Sequence, residues 1–137
     1  PGKRPFHTII PAFVMKDGQP FMSFGLMGGA MQPQGHVQVL VNIIDFGMDV
    51  QTAGDAARFN HDGGRQPTGV DEDLLGTLFL EPGVPAEIAE QLRAMGHRVE
   101  VDSTGAPFGG YQAIMLLPNG VYEGATEMRK DGTVAAW

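Results

Sequence analysis

The stretch FMSFGLMGGAMQPQGHVQVLVNII, from Phe21 to Ile44, passes from alternating apolar residues through a segment with four glycines into an evenly spaced apolar series. Alternation is the signature of a strand and the later spacing that of a helix, so the chain changes element through a loop almost without side chains. Three roles suit such a loop: a nucleotide cradle, a backbone site for a non-phosphate anion, or a crossing where only glycine fits. The first fails on spacing. Gly25, Gly28, Gly29 and Gly35 do not form G-x-G-x-x-G, and no Lys-Ser/Thr pair follows as a P-loop requires. A hairpin rather than a βαβ unit also precedes the loop. The other two roles stay open. Adjacent glycines at 28 and 29 offer N–H groups that no Cβ shields from an oxyanion, and they also suit a tight turn or close packing.

The flanking pattern predicts the elements around this loop. Ile10 to Lys16 and Pro20 to Phe24 read as strands joined by Asp17-Gly18, a dipeptide suited to a tight hairpin. His36 to Phe46 reads as a mostly buried helix on Val37, Leu40, Val41 and Ile44, with Val39 and Ile43 widening the stripe and Gln38, Asn42 and Asp45 opposite. Gly47 can end that helix, and Asp49 can cap a short one running through Ala53, Ala56 and Ala57. Asn60 to Asp73 reads as a polar surface loop and Leu74 to Leu80 as a strand. PGVPAEIAEQLRAMG predicts a helix with Ile88, Leu92 and Met95 on one face. His97 to Val101 reads as a strand, and Tyr111 to Leu117 and Val121 to Thr126 as a second hairpin across PNG. The succession points to an α+β domain, an antiparallel or mixed sheet with helices on its face.

At 137 residues the chain has the size of one domain, read as 1-137, with 42% hydrophobic and 18% charged residues. A net charge of −7, with Lys3/Arg4 and Arg129/Lys130 as the adjacent basic pairs, argues against nucleic acid or anionic lipid as partners. No apolar run reaches spanning length. There are no cysteines, which excludes thiol nucleophiles, thiolate metal sites and disulfides while leaving the compartment open. The chain opens on PGKRPF without an initiator methionine, and reads as part of something longer.

Other groups with chemical potential carry less. His7, His36, His61 and His97 lie far apart without the i, i+4 pairing of a helical metal site, so no metal or other cofactor is expected. His61-Asp62 can form a local acid–base pair, though polar loops carry such pairs without chemistry. Ser103-Thr104, in DSTGAPFGG, lacks the G-x-S-x-G elbow and reads as a polar loop before it reads as a nucleophile. Asp71 to Asp73 reads as a solvated acidic run.

The segments GKRPFHTIIPAFVMKDGQP, FGLMGGAMQPQGHVQVLVNIIDFGMDVQTAGDAARF, GYQAIMLLPNGVYEGA and RKDG together resemble the small subunit of the γ-glutamyltransferase (γ-glutamyltranspeptidase) family. Their order covers nearly the whole chain, and they are most similar to the amidohydrolase and acylase branch. The resemblance implies an N-terminal-nucleophile (Ntn) hydrolase fold, an αββα sandwich, made by a precursor that cleaves itself into large and small subunits. It implies a threonine nucleophile, exposed by that cleavage, upstream of these residues, so this chain carries no nucleophile. It implies an acyl-threonine intermediate formed from a γ-glutamyl or related amide, with transfer of the acyl group to water or an amino acid.

Carried onto this sequence, the family's glycine pair falls on Gly28 and Gly29 as an oxyanion hole. The paired serines that hold the substrate carboxylate become His7 and Thr8, and GGYQ in place of G-S-T-Q leaves Gln112 as the matching residue. The expected partners are the large subunit and the upstream part of the small subunit, with self-association into a homo-oligomer a further possibility. An exported location follows from the resemblance, and a cytoplasmic one remains open. The competing expectation is a non-catalytic, self-associating scaffold that keeps part of the fold.

Overall fold

The computed structural model describes residues 1–4, 8–63 and 76–136. The chain divides into two compact units, Pro1–Asp55 with Gly109–Trp137, and Ala56–Phe108.

The first unit is built on a 4-stranded antiparallel sheet in the order β1-β2-β6-β7, comprising β1 (Ala12–Lys16), β2 (Gln19–Met27), β6 (Gly110–Leu116) and β7 (Tyr122–Thr126). The β1–β2 hairpin turns on Asp17 and Gly18, both at positive φ, as the sequence predicts. Alternation then decides the inner face. Met22, Phe24 and Leu26 of β2 are buried with Tyr111, Ala113 and Met115 of β6, against α1 (Met31–Ile44) and α2 (Val50–Asp55).

Helix α1 begins five residues before its predicted start at His36. Pro33 falls in its first turn, where a missing N–H costs no helical bond. Its buried stripe is Met31, Gly35 and Val39, flanked by Leu40 and Ile43, while Val37 and Ile44 are 61% and 63% exposed. The expected face is therefore rotated. Gly35 explains the choice: a Cβ there would lie 2.5 Å from Leu26 Cδ1, so the absent side chain lets the helix rest on β2. Asp49 caps α2 as expected, its carboxylate accepting from the N–H of Gln51 and Thr52 and the Thr52 hydroxyl, bonds that lower its pKa.

A buried pair ties the end of the sheet to α2. Arg129 Nη1 donates to Glu127 Oε2 at 2.8 Å and to the Gly54 carbonyl at 2.9 Å. The Gln51 side chain both donates to the Thr126 carbonyl and accepts from its N–H, in place of a further strand beside β7.

The second unit holds a 3-stranded sheet, β3 (Phe59–Asp62), β4 (Thr77–Leu80) and β5 (Val99–Val101), with β4 and β5 parallel and linked through α3 (Ala86–Ala94). The first part of the expected polar loop is thus strand β3: Asn60, His61 and Asp62 pair with Phe79, Leu78 and Thr77. Their polar side chains hide the strand from pattern reading, because the backbone ladder supplies the pairing. The rest of that loop through Asp73, including the acidic run, and the start of the Leu74 strand fall at residues 64–75, outside the described residues. Along α3, Ala89 and Leu92 meet Leu80 and Val99, whereas Met95, expected on the same face, is 74% exposed at the C-cap. Arg58 is buried, donating from its backbone N–H to Glu81 Oε2 at 2.7 Å and from Nη1 to the Phe108 carbonyl at 2.8 Å.

Candidate functional site

Where β2 ends at Met27, the chain turns through Gly28 and Gly29 into α1. Gly28 and Gly29 have φ of 123° and 58°, backbone that residues with a Cβ rarely adopt. Their carbonyls are engaged, Gly28 accepting from Met31 N–H and Gly29 from Gln32 N–H, each at 3.1 Å. Neither glycine's N–H donates a hydrogen bond among the described residues. Gly109 makes the close packing possible. A Cβ on Gly28 would stand 3.0 Å from the Gly109 Cα, and one on Gly109 would collide with the Met27 carbonyl at 2.1 Å. A Cβ on Gly29, in contrast, would meet nothing within 4 Å. The packing reading and the anion reading thus divide between neighbours: Gly28 is crowded, and Gly29 faces open space.

That open space is a groove of about 360 Å³ in the first unit, lined by Gly28 and Gly29, by Thr8 to Pro11, by Gly25 to Met27 on β2, and by Gln32, Gly110 and Gln112. Three of the regions that the sequence singled out meet here: the glycine pair, Thr8 and Gln112. His7 lies outside the described residues. Gln112 is held by a hydrogen bond from its Nε2 to Thr126 Oγ1 at 2.7 Å. A neighbouring hollow of about 420 Å³ shares Pro11, Gly25 and Gln112 and runs on past Ile114 to Val134. Among the described residues the groove's lining carries no charged side chain, so its chemistry is that of backbone amides, two amide side chains, a hydroxyl and apolar walls.

Gln32 is the residue that sequence reasoning missed. Its Nε2 donates to the Thr8 carbonyl at 2.7 Å and to the Gly29 carbonyl at 3.2 Å, tying the 8–11 segment to the glycine turn. The available signal was Pro33, which fits a helix's first turn and would have moved the helix start back to this glutamine.

His36 lies one turn further along α1. Its Nε2 accepts the Leu26 N–H at 3.2 Å and its ring meets Phe24 edge-on at 4.9 Å between centroids. Burial lowers its pKa below the usual 6.5, which favours the neutral ring that this bond requires.

The remaining candidates are accounted for locally. Thr104 donates from N and Oγ1 to Asp102 Oδ1 at 2.7 and 2.6 Å, lowering the Asp102 pKa, and its Oγ1 accepts from Ala106 N–H, so its hydroxyl braces a turn. His61 and Asp62 are on β3 of the second unit. Among the described residues no group of three or more His, Asp or Glu is placed to hold a metal, and no helix is long and apolar enough to cross a membrane.

The γ-glutamyltranspeptidase family profile matches residues 1–137. The chain is 35% identical over 136 residues to the acylase ACY 1 proenzyme of Pseudomonas sp. (strain SE83), covering 99% of this chain and 22% of that protein. It is 32% identical over 129 residues to the glutathione hydrolase proenzyme of Escherichia coli (strain K12), covering 94% of this chain and 20% of that protein. The crystal structure of cephalosporin acylase from Bacillus halodurans aligns with a TM-score of 0.86 at 46% identity, over 100% of this chain and 24% of that one. The chain therefore spans between 20% and 24% of the length of these proteins. The structural matches show the expected fold class, α+β of the Ntn-hydrolase type.

Proposed function

The chain belongs to the γ-glutamyltranspeptidase family, and from that premise we propose that these residues form the oxyanion-binding and substrate-wall part of an amide-cleaving site. Gly28 and Gly29 are its oxyanion donors, and Thr8, Gln112 and the neighbouring His7 contact the substrate. The nucleophile is a threonine outside these residues, supplied by the upstream part of the small subunit, with the large subunit of the same precursor completing the site.

The chemistry assigns each group a task. The threonine hydroxyl adds to the carbonyl carbon of a γ-glutamyl or related amide, giving its proton to the threonine's own amine. The carbonyl oxygen takes up the negative charge, which the glycine N–H groups receive. Collapse expels the amine with that proton and leaves an acyl-threonine ester, and water or an amino acid's amine then takes the acyl group. One observation carries the reading: Gly28, Gly29, Thr8 and Gln112, far apart in sequence, line one groove, and among the described residues the N–H groups of the glycine pair donate no hydrogen bond.

Kinetics of the full-length polypeptide test it. Gly28→Val should cost about 3 kcal/mol of transition-state stabilisation, roughly a hundredfold in kcat/KM. Because valine also crowds Gly109, Gly29→Ala is the companion that avoids that contact, since its methyl meets nothing within 4 Å and its cost is the strain of a left-handed alanine, about 1 kcal/mol. A folded Gly29→Ala protein with the parent's kcat removes the oxyanion assignment.

The scaffold reading has its own supporting observation. On the outer sheet face Phe13, Ile114 and Tyr122 are 61%, 53% and 72% exposed, an apolar surface that favours association between copies.

A further inference from the structure

We infer that His36 is a positioning residue for the Gly28–Gly29 turn, acting through the backbone of Leu26. This rests on the oxyanion reading above for its consequence in catalysis, but its structural basis is separate. Strand β1 pairs with β2 only as far as Ala12 opposite Phe24, whereas β6 pairs on to Met27. At Leu26, two residues past the end of the β1 ladder, the strand has no β1 partner, and its N–H goes to the imidazole Nε2 at 3.2 Å. The histidine thus supplies the acceptor that a longer β1 would have supplied, at the last turn of chain before Gly28.

The preceding residue makes that reach possible. Gly35, with no side chain, lets Leu26 pack where a Cβ would stand 2.5 Å from its Cδ1, so consecutive residues of α1 hold the same residue of β2 by contact and by hydrogen bond. Gln32, one turn earlier, holds the Gly29 carbonyl. The helix start therefore grips the glycine turn on both sides, and an oxyanion site depends on such fixed donors because a displacement on the order of 1 Å can cost a hundredfold in rate.

The bond needs a neutral ring, since an imidazolium has two N–H groups and no acceptor. Among the described residues no charged side chain is bonded to the His36 ring. Strand β2 carries no titratable side chain and α1 none besides His36. On β6 the titratable group is Tyr111, whose ring lies 6.4 Å from that of Phe24, and on α2 it is Asp55, which accepts from Gln51 and from the Met128 N–H. Burial, the cause of the lowered His36 pKa, thus keeps the acceptor in place at neutral pH.

The test uses the full-length polypeptide labelled with 15N-leucine, together with His36→Gln, whose side-chain oxygen reaches about as far as Nε2, and His36→Leu, which has no acceptor. The Leu26 amide resonance should move with the imidazole titration in the parent protein and stay fixed in His36→Gln. For turnover, His36→Leu should lower kcat about tenfold with KM changed much less, and His36→Gln should recover most of that loss. A Leu26 amide indifferent to the titration, or a His36→Leu protein with the parent's kcat, overturns the inference. The two readings separate cleanly: an active Gly29→Ala alongside a titrating Leu26 amide removes the oxyanion site and leaves the hydrogen bond, whereas a dead Gly29→Ala with a silent His36→Leu removes the positioning role alone.

Discussion

Gly109 and Gly18 hold glycine for different reasons, and substitution by alanine separates them. Both have φ above +70°, but a Cβ on Gly18 meets nothing within 4 Å while one on Gly109 meets the Met27 carbonyl at 2.1 Å. Gly18→Ala should cost about 1 kcal/mol, the strain of a left-handed alanine. Gly109→Ala should cost about 3 kcal/mol, since a backbone group rather than a side-chain tip must yield. Urea midpoints of the two variants check this, and equal costs would mean that the Met27 approach is not fixed. His36 gives a pH dependence at the same scale. Its folded pKa lies below the ordinary 6.5, so the unfolded chain binds more protons between the two values. Its stabilising contribution is thus complete above the unfolded value and is lost as pH falls through the folded one. Between about pH 7.5 and pH 5 the parent should lose more Tm than His36→Gln does. Equal losses would exclude the histidine from the linkage.

At the scale of elements, the tie between β7 and α2 rests on a buried charge pair. The Glu127 and Arg129 side chains are 0% and 4% exposed and meet at 2.8 Å. Arg129→Met leaves a buried carboxylate uncompensated and should cost about 4 kcal/mol, while adding Glu127→Gln should recover part of that loss. Chemical denaturation of the singles and the double measures the coupling, and additive losses would show that the pair is not the anchor. Elements with a local cause were legible in the sequence: the Asp17-Gly18 turn, the Asp49 cap and the second hairpin stand as read. Elements with a tertiary cause were not. The face of α1 was misread because apolar residues nearly encircle the helix, and the contact of Gly35 with Leu26, which selects a face, joins residues on different elements. Strand β3 was missed because FNHD has no alternating apolar pattern and gains its order from β4.

For the whole molecule, the proposed reading divides the catalytic groups between these residues and others. The purified 137-residue chain should release no product from a γ-glutamyl anilide, whereas the full-length polypeptide should do so after self-cleavage. Turnover by the isolated chain would contradict the division. The scaffold alternative expects its apparent mass by light scattering to rise with concentration through the exposed Phe13, Ile114 and Tyr122 face, and a constant monomer would count against it.

By itself the sequence determined the family and its α+β class, through segments whose order spans the chain, and its glycine spacing matches neither nucleotide-binding motif. Those are properties of residue identity and order. Only the tertiary structure decided which glycine is crowded and which is open, that Thr8 and Gln112 border the same groove, and that from the helix start Gln32 bonds the Gly29 carbonyl and His36 the Leu26 N–H. Each of these is a meeting of residues distant along the chain, and such meetings depend on how strands register and how closely a helix can approach a sheet, which pattern and propensity do not encode.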